Sequence, residues 1–188
     1  TIKIRTRIEA PRLPQKLEGS QLSPDDAVEF KVATIALASG RAVHRTSPIP
    51  NSGPLPPRVG EKTTYTVVWE ARSFTNEVEN ARISASLPPN VRWEGIVSPQ
   101  DAGIRFDQAA GAVQWQIGKI PPGTGVLSPA RIGAFQVSVI PSEIDAGKAL
   151  ALVTDPRFSG RDTFTGEEIV LQMDNLDIRL KDDPATNP

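Results

Sequence analysis

The sequence predicts an all-β fold, an antiparallel β-sandwich preceded by strands of a second or partial β domain. Three observations predict it. Proline supplies 18 of 188 residues, roughly twice its usual ~5 % share, and proline ends helices and cannot donate inside a sheet, so it collects at edges and in turns. Apolar residues alternate with period two in a series of short segments separated by turn residues. No segment after residue 58 has a helical period, and the stretch 141–147 leaves room for one turn at most.

The first 47 residues read as strands. Ile2, Ile4 and Ile8 alternate with polar residues until Pro11 and Pro14 break the pattern. Val28, Phe30 and Val32 alternate again, and Ala33 to Ala38 is nearly continuous and apolar. Ser23-Pro24-Asp25-Asp26 also has the form of a helix start, so a short helical turn before a long strand is the alternative for this stretch. Two or three strands cannot close a core alone; they end a preceding β domain, complete the sandwich that follows, or are swapped into another copy. Residues 48–57, Pro48-Ile49-Pro50-Asn51-Ser52-Gly53-Pro54-Leu55-Pro56-Pro57, read as a proline-rich linker, because closely spaced prolines act as a semi-rigid spacer. The competing reading, a ligand for a proline-binding module, rests on Pro54-Leu55-Pro56-Pro57 alone.

Beyond the linker the strand signals recur regularly. Tyr65, Val67 and Trp69 share one face. Ala81, Ile83, Ala85 and Leu87 follow, then Val91 with Trp93, Ile104 with Phe106, and Val113, Trp115 and Ile117. Phe135, Val137 and Val139 come next, then Leu150 with Leu152, Ile169 with Leu171, and finally Leu176, Ile178 and Leu180. Many short alternating strands with turns between them indicate a sandwich over 58–181 rather than a parallel sheet, with 182–188 as a polar tail. The three tryptophans fall on alternating strand positions among apolar partners, which suits core packing. A carbohydrate-stacking platform would require two of Trp69, Trp93 and Trp115 exposed on one face.

Several motifs in this region resemble a known repeat. Val59 to Val67 is similar to a "GE-x-(x)-TYT" opening strand, Leu87-Pro88-Pro89-Asn90-Val91 to an "LP-x-G-V" turn, and Val113 to Gly123 to a "V-x-W-x-(I/L)-G-x-(I/L)-x-PG" signature; Phe135 to Val139 resembles the strand after it. In this order they resemble the conserved repeat of bacterial and archaeal surface proteins called domain of unknown function eleven. The resemblance covers about residues 58–181. It implies an immunoglobulin-like sandwich, used in tandem arrays outside the cell and carrying no assigned catalytic residues. Asn90 stands where the usual turn glycine would, a substitution that asparagine's tolerance of the left-handed region permits. The insert Gly123 to Arg131 is longer and richer in Gly and Pro than usual, and residues 1–47 lie outside the resemblance.

Composition narrows the chemistry. The net charge of −1 gives no field to gather nucleic acid or an anionic membrane, and Arg41 with Arg45 is the nearest approach to a basic cluster. The absence of cysteine removes disulfides, thiolate metal sites and cysteine nucleophiles. No apolar run reaches the ~20 residues of a membrane-spanning helix. The chain opens on Thr1-Ile2-Lys3-Ile4, where no signal peptide is visible, and has no Asn-x-Ser/Thr sequon; it is expected to be a processed product, a fragment or part of something longer. His44 is the only histidine, and no Gly-x-Ser-x-Gly elbow is present to partner it; it is expected at the surface or a domain junction. Gly123-Thr124-Gly125 lacks the lysine and helix of a phosphate loop. Asp101, Asp107, Glu167 and Glu168 could in principle furnish a glycosidase pair, but read more simply as solvated loop acids. Calcium, which needs several oxygen ligands, has weak candidates in Asp155, Asp162 and Glu167, and a second acidic group in Asp174, Asn175 and Asp177; neither follows an EF-hand pattern.

The expected function is a non-catalytic structural or spacer module of a larger cell-surface or envelope protein, with self-assembly into an array or filament as a variant. The alternative is an adhesion or glycan- or protein-binding module. The expected partners are neighbouring domains of the same polypeptide or other copies of the chain, with no cofactor, no nucleic acid and no membrane insertion.

Overall fold

A computed structural model describes residues 2–7, 25–181 and 183. The described residues form twelve strands and a single 3-10 turn, Glu143–Asp145, within the stretch expected to hold one. Among the described residues, strands β1 (Ile2–Arg7) and β2 (Asp25–Phe30) pair only with each other, antiparallel, from Ile2 opposite Phe30 to Arg7 opposite Asp25. The helical alternative from Asp25 is therefore replaced by a strand; Ile8 and the Ser23-Pro24 half of that signal lie outside the described residues.

The sandwich consists of two antiparallel sheets. One has the order β3-β4-β9-β6, from Ala36–Val43, Thr63–Ser73, Arg131–Val139 and Val91–Ser98. The other has the order β11-β10-β5-β8-β7, from Glu168–Gln172, Ala151–Asp162, Val78–Ser86, Ala112–Ile120 and Ile104–Asp107, with β12 (Leu176–Asp177) also on β10. The chain changes sheet five times, between β4 and β5, β5 and β6, β6 and β7, β8 and β9, and β9 and β10. A four-stranded sheet thus faces the triplet β11-β10-β5, the immunoglobulin-type arrangement, extended here by β8 and β7.

The core lies where the alternation places it. Tyr65, Val67, Trp69, Ile83, Val113, Trp115, Phe135, Val137, Leu152 and Phe158 are buried between the sheets. Trp69 meets Phe135 edge-on, with ring centroids 4.8 Å apart. Trp115 reaches across from β8, its indole N–H donating to the Ala102 carbonyl (2.7 Å). Gly133 on β9 makes room for that indole: a Cβ there would stand 2.8 Å from Trp115 Cε2 and 3.0 Å from Ile104 Cδ1.

The expected boundaries at 47 and 58 do not separate bodies. β3 is laddered to β4 through eight residues, from Ala36 opposite Ser73 to Val43 opposite Thr66, so it is the first strand of the sandwich. The proline-rich stretch is a strap rather than a linker. Ile49 is buried with Val43, Val68 and Ala134 in a second apolar cluster on the outer face of β4 and β9. Gln136 Nε2 donates to the Pro50 carbonyl (2.8 Å) and to Asn51 Oδ1 (2.9 Å), Thr66 Oγ1 donates to the Ile49 carbonyl (3.2 Å), and Thr64 N–H donates to the Ser52 carbonyl (2.9 Å). Prolines suit this place because a segment crossing a sheet face needs few N–H donors. Thr64 and Thr66, the polar residues that alternate with Tyr65, Val67 and Trp69 on β4, are buried under the strap. The tail also begins inside the fold: Asp183 is buried, and its Oδ2 accepts the N–H groups of His44 (2.8 Å) and Arg45 (3.1 Å).

Gly133→Ala is expected to destabilise the protein by about 1–3 kcal/mol through overpacking against Trp115, measured by urea denaturation; an unchanged midpoint would show that the indole has room to shift. Tyr65→Phe is expected to leave stability within ~1 kcal/mol or raise it, because the buried Tyr65 hydroxyl has no hydrogen-bond partner and an unpaired buried hydroxyl costs its desolvation.

Candidate functional site

The register defines two ends, and the features that deal with the outside lie there. At the entrance end Ser73 stands opposite Ala36, Asp162 stands opposite Val78, and the chain arrives through Thr34. At the exit end Val43 stands opposite Thr66, Ile178 N–H donates to the Leu150 carbonyl (3.0 Å), and the chain leaves through Asp183. The eleven residues of β4 separate these ends by about 35 Å at ~3.3 Å per residue.

A buried aspartate fixes each end. Asp162 Oδ2 accepts from Thr34 N–H (2.7 Å) and Asn76 Nδ2 (2.8 Å); Oδ1 accepts from Phe164 N–H (2.8 Å) and Thr165 N–H (3.1 Å). Asn76 Nδ2 also donates to the Val32 carbonyl (2.9 Å), and Thr34 Oγ1 accepts from Thr75 N–H (3.0 Å) and shares a hydrogen bond with Ser73 Oγ (3.1 Å). One carboxylate thereby ties the incoming chain to the β4–β5 connection and to the end of β10. Burial by itself would raise its pKa, but the donors from Asn76, Thr34, Thr165 and Phe164 outweigh burial and hold it below the usual carboxylate value. At the other end Asp183 ties the outgoing chain to His44 and Arg45, the two residues that follow β3.

The expected calcium ligands do not converge. Asp155 is exposed, seven positions before Asp162 on β10, about 23 Å away at strand spacing. Asp162 accepts four hydrogen bonds from protein donors, two on each oxygen, and Glu167 is exposed. Among the described residues no group of three or more His, Cys, Asp or Glu side chains is placed to hold a metal ion. In the second acidic group Asn175 Oδ1 accepts Asp155 N–H (2.9 Å), and Asp177 accepts from the backbone and Nε of Arg179 (2.9 and 3.0 Å); Asp174 and Asp177 line one shallow cleft. Asp107 Oδ1 caps the backbone of Ala109 and Ala110. Asp101 and Glu168 are exposed on different loops and strands.

His44 is not a surface residue in the simple sense expected. Both ring nitrogens are buried without a hydrogen-bond partner, and the ring packs edge-on against Tyr65 at 5.8 Å. Burial pushes the Tyr65 phenol up to about 12. Trp69 and Trp115 are core residues, whereas Trp93 is half-buried and stacks on Phe106 at 5.8 Å and 17°. Two exposed tryptophans on one face, the requirement of a platform, are not present. Of the expected cations, Arg45 lies at the exit end, where an open groove of about 840 Å³ is lined by Leu55, Pro56, Pro57, Ile178, Lys148 and Arg179 among others. Sequence reasoning missed both this groove and the role of Asp183, because each is built from segments distant in sequence.

No protein-family model matches the chain, and no curated protein matches it. Among solved structures the chain is similar to the major pilin subunit BcpA of Bacillus cereus, at 10 % identity and TM-score 0.46, covering 94 % of this chain and 47 % of that one. It is similar to the full-length major pilin SpaD of Corynebacterium diphtheriae at 10 % identity and TM-score 0.44, covering 74 % of this chain and 34 % of that one. It is also similar to three N-terminal domains of the type V pili tip protein Mfa5 of Porphyromonas gingivalis at 9 % identity and TM-score 0.43, covering 58 % and 23 %. The chain therefore spans less than half the length of each. No helix among the described residues is long and apolar enough to cross a membrane.

Asp162→Ala is expected to cost about 2–4 kcal/mol at pH 7, because four donors lose a charged acceptor and some remain buried. The folded protein binds this proton less tightly than the unfolded chain. The stabilisation is therefore complete above the unfolded value near pH ~4 and is lost as pH falls through the lower folded value. Urea titrations from pH 7 to pH 2.5 should show the gap between wild type and variant closing at the acid end; a constant gap would show that the carboxylate's charge is not what stabilises. Millimolar calcium is expected to leave the melting temperature unchanged, and a rise would reveal a site formed by other oxygen ligands.

Proposed function

We propose that this chain is a non-catalytic spacer module of a larger cell-surface or envelope protein, joined to neighbouring domains of the same polypeptide. The observation that carries this reading is the course of the chain. It arrives at one end of the sandwich and leaves at the other, and a buried aspartate pins it at each end. A module of this form adds its full length to a stalk. It also transmits tension well. A pull applied through Thr34 and Asp183 runs along β3, whose eight-residue ladder with β4 is loaded in shear, so its hydrogen bonds must fail together rather than one after another. The surface setting is supported by the resemblance of the motifs at 59–67, 87–91, 113–123 and 135–139 to a repeat of envelope proteins. Among the described residues, the acids singled out as candidates and the one histidine are dispersed or engaged in fixing backbone.

Two measurements test the reading. Single-molecule pulling through the two termini should rupture the domain at a higher force than pulling through two points at the same end, such as cysteines introduced at Ile35 and Leu127; the chain has no cysteine of its own to confuse the attachment. Equal forces would remove the load-bearing role. Antibody against the sandwich should label intact cells of the source organism, and labelling only after permeabilisation would remove the surface setting.

A further inference from the structure

Four buried side-chain atoms among the described residues lack a hydrogen-bond partner: both ring nitrogens of His44, the Tyr65 hydroxyl and the Trp69 indole nitrogen. They lie on one strip of β3 and β4. Gly40 stands opposite Trp69 and Ala42 opposite Val67, and His44, two residues beyond Ala42, brings its ring against Tyr65 at 5.8 Å. One stretch, Met173 to Asp183, covers this strip. A Cβ on Gly40 would stand 3.3 Å from Trp69 Nε1 and 3.4 Å from Met173 Cε, so the indole edge and the Met173 methyl share that space. Leu176 and Leu180 line one cleft with Gly40 and Ala42, and Asp183 Oδ2 accepts His44 N–H at 2.8 Å.

This cover is loosely attached for a layer of the core. β12 contributes two residue pairs with β10, with a register shift between them. Met173 N–H donates to the Pro156 carbonyl (2.9 Å) and Ile178 N–H to the Leu150 carbonyl (3.0 Å). The apolar anchors are Met173, Leu176 and Leu180, all buried. Against them stand two costs. Leu180 holds φ of +52°, a left-handed conformation that a bulky side chain adopts only under strain. The polar atoms beneath have given up water without gaining a protein partner. Both costs are relieved if the stretch lifts, since water then reaches the strip and Leu180 can relax. The sheets do not depend on it: β4 is laddered to β9 from Thr63 to Ala71 and to β3 from Thr66 to Ser73.

We propose that Met173–Asp183 is a releasable latch, which lifts from β3 and β4 as a unit while the two sheets stay closed. Its opening is a local unfolding step of lower free energy than unfolding of the domain. In a stalk the outgoing chain pulls on Asp183 first. The eleven residues of the latch then release up to about 36 Å of contour at ~3.3 Å each before the sheet ladders bear the load. This mechanical consequence rests on the spacer reading; the opening itself does not.

Native-state hydrogen exchange of the full chain, read amide by amide by NMR in increasing low urea, tests the latch. The N–H groups of His44, Arg45, Met173 and Ile178 bond to the latch or belong to it. They are expected to share one opening, with protection at least about tenfold weaker than that of β4 and β9. Urea should affect them little, because opening exposes little surface. Gly133→Ala strains the sheets whether the latch is open or closed, so it should speed exchange in β4 and β9 and leave the latch amides unchanged. Tyr65→Phe should slow the latch amides about fivefold or more, because the hydroxyl no longer gains water on opening. Latch amides that follow the urea dependence of β4, or that ignore Tyr65→Phe, overturn the latch; the urea series needs no variant. Pulling through the incoming and outgoing chain should show a short extension before the main rupture, and its absence would remove the release under load. None of these failures touches the spacer reading, which is judged by rupture force and surface labelling, and loss of surface labelling would leave the exchange pattern standing.

Discussion

The strand β4 is buried on both of its faces, and most of the structure is organised around that fact. Its inner face places Tyr65, Val67 and Trp69 against the second sheet; its outer face is closed by Ile49 and by the hydrogen bonds that Gln136, Thr66 and Thr64 make to residues 49–52. A sandwich strand ordinarily has one wet face. Here the strap removes it, and the threonines beneath are satisfied by strap carbonyls and by Asn51 rather than by water. Buried polar groups of this kind are tolerable only when they are paired, which makes the strap and the strand mutually dependent. β3 and β9 are held in place on either side of β4, so the four-stranded sheet inherits the same constraint.

The two aspartates extend this organisation to the ends of the molecule. Asp162 gathers donors from the incoming chain, the β4–β5 connection and the loop after β10; Asp183 gathers the backbone N–H groups of His44 and Arg45, just past β3. Carboxylates suit such junctions because each offers several acceptor positions to converging donors, and an ionised acceptor makes the stronger hydrogen bonds. Between them the sandwich has fixed points of arrival and departure. That is the property a module needs if it is to set a distance between its neighbours.

How much of this was legible in the sequence depends on the range of the interaction. Alternation located β4 to β9, β11 and β12, and the inward residues it named, from Tyr65 to Leu176, pack in or against the core. Of β10 it found only the start, through Leu150 and Leu152, and it missed the buried Phe158; the short 3-10 turn falls inside the stretch left open for one. Alternation gave no sign of the second layer over the sheet: Thr64, Thr66 and Gln136 are buried beneath the strap, and nothing local announces it. The prolines at 48–57 were read as a linker for the same reason, since stiffness is a local property whereas what a stiff segment lies upon is not. His44 read as a junction residue, and it does lie where the tail meets β3, although its ring is inside rather than outside. Asp162 read only as a weak calcium candidate, because the partners that define it, Thr34 and Asn76, are 128 and 86 residues away.

By itself the sequence determined that this protein is all-β, where most of its strands run and which side chains face inward, because period-two alternation and proline placement act within a few residues. Only the tertiary structure decided that β3 and the proline strap belong to the sandwich, that two aspartates fix the ends, and that a groove opens at the exit end. Those outcomes depend on hydrogen bonds and apolar contacts between segments that meet only when the two sheets close, and no local pattern encodes which segments will meet.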